Sequence, residues 1–169
     1  MMRSVPFLLS IVWLFCLIFS CGPDKNNPFG LAQNHIYYQL KTGGERDYKV
    51  NCSLEKISNR YKLSLKGSNN SDGIIITIKN IKSMTPQVLY FNKEVSLIVN
   101  EKINNELNIY VSSACKNNPG AFEIVNWDID NKTITGFFSG AVCTRGVFAH
   151  LPSTEIQEGA FYKLKYNVK

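Results

Sequence analysis

The chain has 169 residues, of which 44% are apolar and 19% charged, with a formal net charge of +6. That length suits one domain, and the composition excludes disordered, collagen-like and polytopic membrane chains. Its lysines and arginines are scattered without a run of four, so the cationic patch of a nucleic-acid binder is missing and no nucleic-acid partner is expected.

The first strong signal is N-terminal. Arg3 is followed by no charged residue until Asp24, and Val5–Phe19 is almost wholly apolar, the length of a signal-peptide core. The chain then reads Ile18-Phe19-Ser20-Cys21-Gly22. A small residue before a cysteine at the end of such a run resembles the lipobox of bacterial lipoproteins, although Phe19 is bulkier than that pattern usually carries. The resemblance implies cleavage after Ser20 and a diacylglyceryl thioether on Cys21. One acyl chain holds a protein only marginally, whereas two or three on one cysteine make a permanent tether. Residues 1–20 are thus expected to be a lipoprotein signal peptide, 21–35 a polar lipid-anchored tether, and 36–169 the folded domain. An uncleaved span, which needs about 20 apolar residues, and plain secretion are the competing readings.

Beyond the tether, short apolar or alternating runs recur between turn residues. Strands are predicted near Ile36–Leu40, Tyr48–Cys52, Tyr61–Lys66, Ile74–Lys79, Val88–Phe91, Val95–Val99, Leu107–Ser112, Phe122–Ile129, Thr133–Val142 and Phe161–Val168. Turns are expected at Thr42–Gly44, Gly67–Gly73, Asn117–Gly120 and the pair Asp130-Asn131. Tyr61, Leu63 and Leu65 alternate with polar residues, as do Tyr162, Leu164, Tyr166 and Val168, which buries one sheet face and wets the other. The fold class is therefore all-β: a single antiparallel β-sandwich, or alternatively a small closed or half-open barrel. Gly136 and Gly140 mark a bend, a bulge or a close backbone approach, with the bend favoured.

The segment Phe122–Phe138 reads FEIVNWDIDNKTITGFF, and Glu158-Gly159-Ala160-Phe161 follows later. A strand closing on Asp-x-Asp-Asn, then Ile-x-Gly-x-Phe, then a final Gly-x-Phe strand resembles a group of small Bacteroidetes lipoproteins of unknown function. The resemblance implies an all-β body anchored in the outer membrane, at its periplasmic or surface face. It carries no catalytic residue.

Chemistry-bearing motifs are sparse. His35 falls in the tether and His150 in a loop, without a visible catalytic partner. Asp128, Asp130 and Asn131 suit a hairpin better than a calcium loop, which uses more carboxylates. Glu155 and Glu158 are too ordinary a pair to mark a glycosidase. No metal, cofactor or catalytic residue is expected. The aromatics Tyr37, Tyr38, Tyr90, Phe91, Trp127, Phe137, Phe138 and Phe148 could stack on sugar but are favoured as core. The expected function is a non-enzymatic binding module for a glycan or an envelope protein. The alternatives are a glycan hydrolase or a small-barrel carrier of an apolar ligand.

Cys52, Cys115 and Cys143 remain once Cys16 and Cys21 are set aside. Three pairings are possible outside the cytoplasm. If Cys115 lay two strands from Cys143 the gap would be roughly 9–10 Å, too wide for a bond. Both lie at strand ends, however, where the Asn-Asn-Pro-Gly turn can curl over the edge. Cys115–Cys143 is the favoured disulfide, with Cys52 free and buried.

Overall fold

The computed structural model describes residues 27–41, 44–69, 72–103, 105–115, 120–144 and 153–169. The segment expected to be a signal peptide, Cys16, Cys21, the turn residues Thr42, Gly43 and 117–119, Phe148 and His150 lie outside the described residues. Leu31–Lys169 forms one compact unit. In the preceding unit, residues 27–30 form a turn in which the Gly30 amide donates to the Asn27 carbonyl at 3.1 Å.

The domain is all-β. Its strands are β1 (His35–Leu40), β2 (Glu45–Ile57), β3 (Arg60–Asn69), β4 (Asp72–Ile81), β5 (Gln87–Tyr90), β6 (Val95–Ile103), β7 (Glu106–Val111), β8 (Ala121–Asp128), β9 (Thr133–Thr144) and β10 (Thr154–Val168). A 3₁₀ turn at Ser112–Ala114 follows β7. The ladders run β1-β2-β3-β4-β6-β7-β9-β10 and return to β1, while β8 and then β5 extend from β9. This ring of ladders is compatible with a sandwich and with a barrel alike. All pairings between strands are antiparallel except a short parallel one, Tyr166–Val168 of β10 against Cys52–Leu54 of β2.

That parallel contact explains how the ring closes. β1 lies between β2 and β10 along His35–Gln39, and beyond its start the two flanking strands meet directly. Asn34 sits at the fork. Its side-chain oxygen accepts from the Lys165 amide at 2.7 Å, and its carbonyl accepts from the Val50 amide at 2.8 Å. Its own amide donates to the Tyr162 carbonyl at 3.2 Å. A φ of 65° places it in the left-handed region, which asparagine tolerates better than most residues.

Inward positions carry the core. Val50, Cys52 and Leu54 of β2 face Leu63 and Leu65 of β3, Ile74, Ile76 and Ile78 of β4, and Val95, Leu97 and Val99 of β6. On the other side Phe122 stacks on Phe161 with centroids 4.8 Å apart. Gly136 makes that stack possible. A Cβ there would overlap the Glu123 carbonyl and crowd the Phe161 ring, so close approach, more than bending, requires this glycine.

Several boundaries differ from expectation. The chain reverses over Ile129–Lys132, four residues instead of Asp130-Asn131 alone, because Lys132 takes the positive φ of 53° and Asp128 caps the turn. β3 and β4 run to Asn69 and from Asp72, shortening the turn expected over Gly67–Gly73. β10 begins at Thr154, seven residues before Phe161, and its register shifts between Ile156 and Gly159 and between Phe161 and Leu164. The second shift puts Phe161 inside and leaves Tyr162 on the outer face, contrary to the simple alternation. His35 is the first residue of β1.

Cys115 and Cys143 are bonded, with Cα atoms 5.3 Å apart. The route differs from the expected one. β8 does not separate β7 from β9 here, because Val111 pairs directly with Cys143. The 3₁₀ turn then carries Cys115 back over it. Cys52 is free and buried, and burial pushes its thiol up to about 12.

Asn34→Ala removes the acceptor for Lys165 and is expected to cost about 1–3 kcal/mol in urea unfolding, whereas Asn34→Asp, which keeps an acceptor, costs less. Replacing Cys115 and Cys143 together with alanine lowers stability by about 3–4 kcal/mol on the chain-entropy account. Cys52 should react with a thiol reagent only as the domain unfolds, so fast labelling in native buffer would contradict its burial.

Candidate functional site

The residues singled out from the sequence are dispersed by the fold. Asp128 accepts from the Asn131 amide at 2.9 Å and from its side-chain amide at 2.7 Å, which holds its pKa below the ordinary value. Both carboxylate oxygens are engaged in shaping the turn. Glu155 faces Lys41 at 4.0 Å, while Glu158 pairs with Gln39 across β10 and β1. His35 Nδ1 lies 2.8 Å from Asp47 Oδ1 on the outer face. Among the described residues, no group of three or more His, Cys, Asp and Glu side chains could hold a metal.

The paired aromatics split as strand geometry requires. Tyr38, Phe91, Trp127 and Phe138 are buried. Tyr37 and Phe137 point outward on either side of Ala160, and Tyr90 is exposed. Trp127 reaches the Tyr166 hydroxyl at 3.3 Å. Core is therefore the role of four members of the predicted set.

The chemically unusual region was not predicted. In β2 the inward phase that places Tyr48, Val50, Cys52 and Leu54 in the core extends back to Arg46. In β6 the phase of Val95, Leu97 and Val99 extends forward to Glu101, which is 1% exposed. The two charges meet inside one end of the domain, with Arg46 Nη2 3.3 Å from Glu101 Oε1. Tyr38 and Tyr48 stand beside them, ring centroids 6.0 Å apart.

This cluster is incompletely satisfied. Tyr38 Oη, Tyr48 Oη, Arg46 Nε and Glu101 Oε1 are buried without a hydrogen-bond partner, and they are the atoms in that state among the described residues. The Arg46–Glu101 contact is an ion pair without hydrogen-bond geometry. Leaving a buried polar atom unpaired costs about 1–3 kcal/mol, so four in one place constitute a concentrated cost. Burial, with Tyr48 and Glu101 nearby, drives the Tyr38 pKa up. Burial also raises Tyr48 and Tyr110. The Glu101 carboxyl rises through burial against the opposing pull of Arg46, and Asp72 adds to the rise. Asp72 itself accepts from the Lys102 amide at 2.7 Å. Arg46, with 28% side-chain exposure, is the member of the ion pair open to solvent.

The opposite end of β2 is different in kind. Leu54, Tyr61, Met84, Ile129, Tyr166 and Val168 line an open cleft of about 270 Å³ with Lys56 and Lys132 on its wall. Arg46 and Lys56 are ten residues apart on one strand, so the two regions are separated by roughly 33 Å at the usual rise.

Compared with protein families, curated proteins and solved structures, the chain matches none.

Glu101 supplies a test of the cluster. Its folded pKa lies above its ordinary value of 4.5, so the folded chain holds that proton more tightly than the unfolded one. The associated stability is full below the unfolded value and is lost as pH rises through the folded pKa. Glu101→Gln removes this loss. Variant-minus-parent stability, from urea midpoints at successive pH values, should increase across that window. Parallel profiles would mean that Glu101 titrates alike in both states.

Proposed function

We propose that the protein is a lipid-anchored outer-membrane lipoprotein whose domain is a non-enzymatic binding module for a glycan, taken at the Arg46–Glu101 end. The observation that carries this reading is the convergence in one cluster of four buried polar atoms without hydrogen-bond partners. Tyrosine hydroxyls and a guanidinium donate, a carboxylate accepts, and a sugar hydroxyl can do both. An envelope protein is the lesser fit for this end, because protein interfaces draw on wide exposed area and aromatic anchors. The tether rests on Arg3, the apolar run Val5–Phe19 and the Ser20-Cys21 step, and the Cys115–Cys143 bond suits an oxidising compartment.

A glycan hydrolase is the second reading. Glu101 has a raised pKa, and Asp72 is close enough to contribute to it. A carboxyl raised by its surroundings beside a second carboxyl is what general acid catalysis uses.

The test measures binding of the membrane-borne chain to an immobilised glycan panel. Arg46→Ala and Glu101→Gln should each weaken binding by about tenfold or more, the equivalent of one charged hydrogen bond. Unchanged affinity in both variants would exclude this end as the site. Release of reducing ends that stops in Glu101→Gln while binding persists would establish the hydrolase. Separately, Cys21→Ser should abolish palmitate incorporation, and a labelled variant would refute lipidation at Cys21.

A further inference from the structure

We propose that the cleft end of the domain rests on an anionic lipid bilayer, with Ile57, Ile129 and Val168 as the apolar tip. These are the most exposed large apolar side chains among the described residues, at 51%, 53% and 60%, and the fold gathers them at one end. Ile129 and Val168 share the cleft with Tyr61, and Ile57 shares an adjoining groove with the same Tyr61. Three such residues from the end of β2, the β8–β9 turn and the end of β10 make an apolar projection that no single strand would create.

Charge selects the occupant. The cleft wall carries Lys56 and Lys132, and the adjoining groove carries Arg60, Lys62 and Lys79. No acid lines either surface among the described residues. Glu55 is engaged by Lys62 at 3.5 Å, and Asp128 is engaged by Asn131. Asp130, on the β8–β9 turn, and Glu94, whose carbonyl accepts from the Lys79 amide, are the remaining acids there, against Lys56, Arg60, Lys79 and Lys132 once Lys62 is paired with Glu55. An apolar tip flanked by cations is the pattern that binds the headgroup region of an anionic bilayer. Each basic side chain near such a surface contributes about fivefold in affinity.

Chain connectivity allows this contact. The polypeptide joins the domain through Asn34, which bonds the Lys165 amide, while the Lys132 carbonyl accepts from the neighbouring Tyr166 amide. The attachment point of the tether is therefore one residue along β10 from Tyr166 of the cleft wall and, through Val50, near the middle of β2. Twelve residues lie between Cys21 and Asn34, so an anchored Cys21 lets Asn34 stand up to about 45 Å from the bilayer, a reach that allows the cleft end to touch it. With the cleft end on the bilayer, the Arg46–Glu101 end is presented away from it.

This orientation rests on the membrane tether proposed above, and the experiment separates the two. The full chain is reconstituted into phosphatidylethanolamine–phosphatidylglycerol vesicles containing brominated acyl chains. Fluorescence added over the parent is read for Ile129→Trp, Val168→Trp and, at the far end, Leu107→Trp. Bromine should quench the first two and spare Leu107→Trp. Lys56→Glu combined with Lys132→Glu should abolish that quenching, as should vesicles of phosphatidylcholine alone. A chain that fails to sediment with vesicles refutes the tether. A chain that sediments while Ile129→Trp and Val168→Trp are spared overturns the orientation. Blue-shifted emission from Ile129→Trp without quenching also overturns it, and assigns the tip to a protein partner.

Discussion

A ring of strands needs a place where the last strand meets the first ones, and here that place is the fork between β2 and β10. β1 fills most of it, and Asn34 completes it by bonding both flanking strands where β1 begins. The inward phase of every other strand follows from this closure. Once the β2–β10 register is set, Cys52 and Leu54 face the core beside Tyr166, and the hairpins β2-β3-β4 carry that phase around the ring. A one-residue slip at the fork would turn each of these side chains outward.

The same phase accounts for the polar end. Strand β2 points alternate residues inward from Leu54 back to Arg46, and β6 does so from Val95 to Glu101. Arg46 and Glu101 occupy core positions by geometry. Their attraction has to offset desolvation of both charges, and a lone pair of this kind seldom adds net stability. An apolar pair would fill the space more cheaply. The cluster is therefore a departure from what packing alone favours, and such departures are expected where a protein binds or reacts.

Much of the architecture was legible in the sequence, because alternation is a local signal. Leu63 and Leu65 announce β3, and Ile74–Ile78 can be little else than a buried strand. Alternation failed where the register shifts. Between Ile156 and Gly159 the chain places Gln157 and Glu158 both outside, so the first half of β10 lacks a period and reads as loop. The cluster could have been found by extending the phase of Tyr48 back to Arg46 and that of Val99 forward to Glu101, which flags two inward charges. The partnership of β7 with β9 could not. It joins residues distant in sequence and depends on β8 leaving the edge of β9, which no local pattern encodes.

That partnership is the thinnest seam of the ring, two residue pairs at Tyr110–Thr144 and Val111–Cys143, and the disulfide is stitched beside it. A reducing compartment withholds the stitch. Under the export proposed above, this timing is useful: the seam would stay unlocked while the polypeptide threads through a translocation channel. Oxidation on the far side then acts as a ratchet, making return to a threadable chain costlier than departure from it.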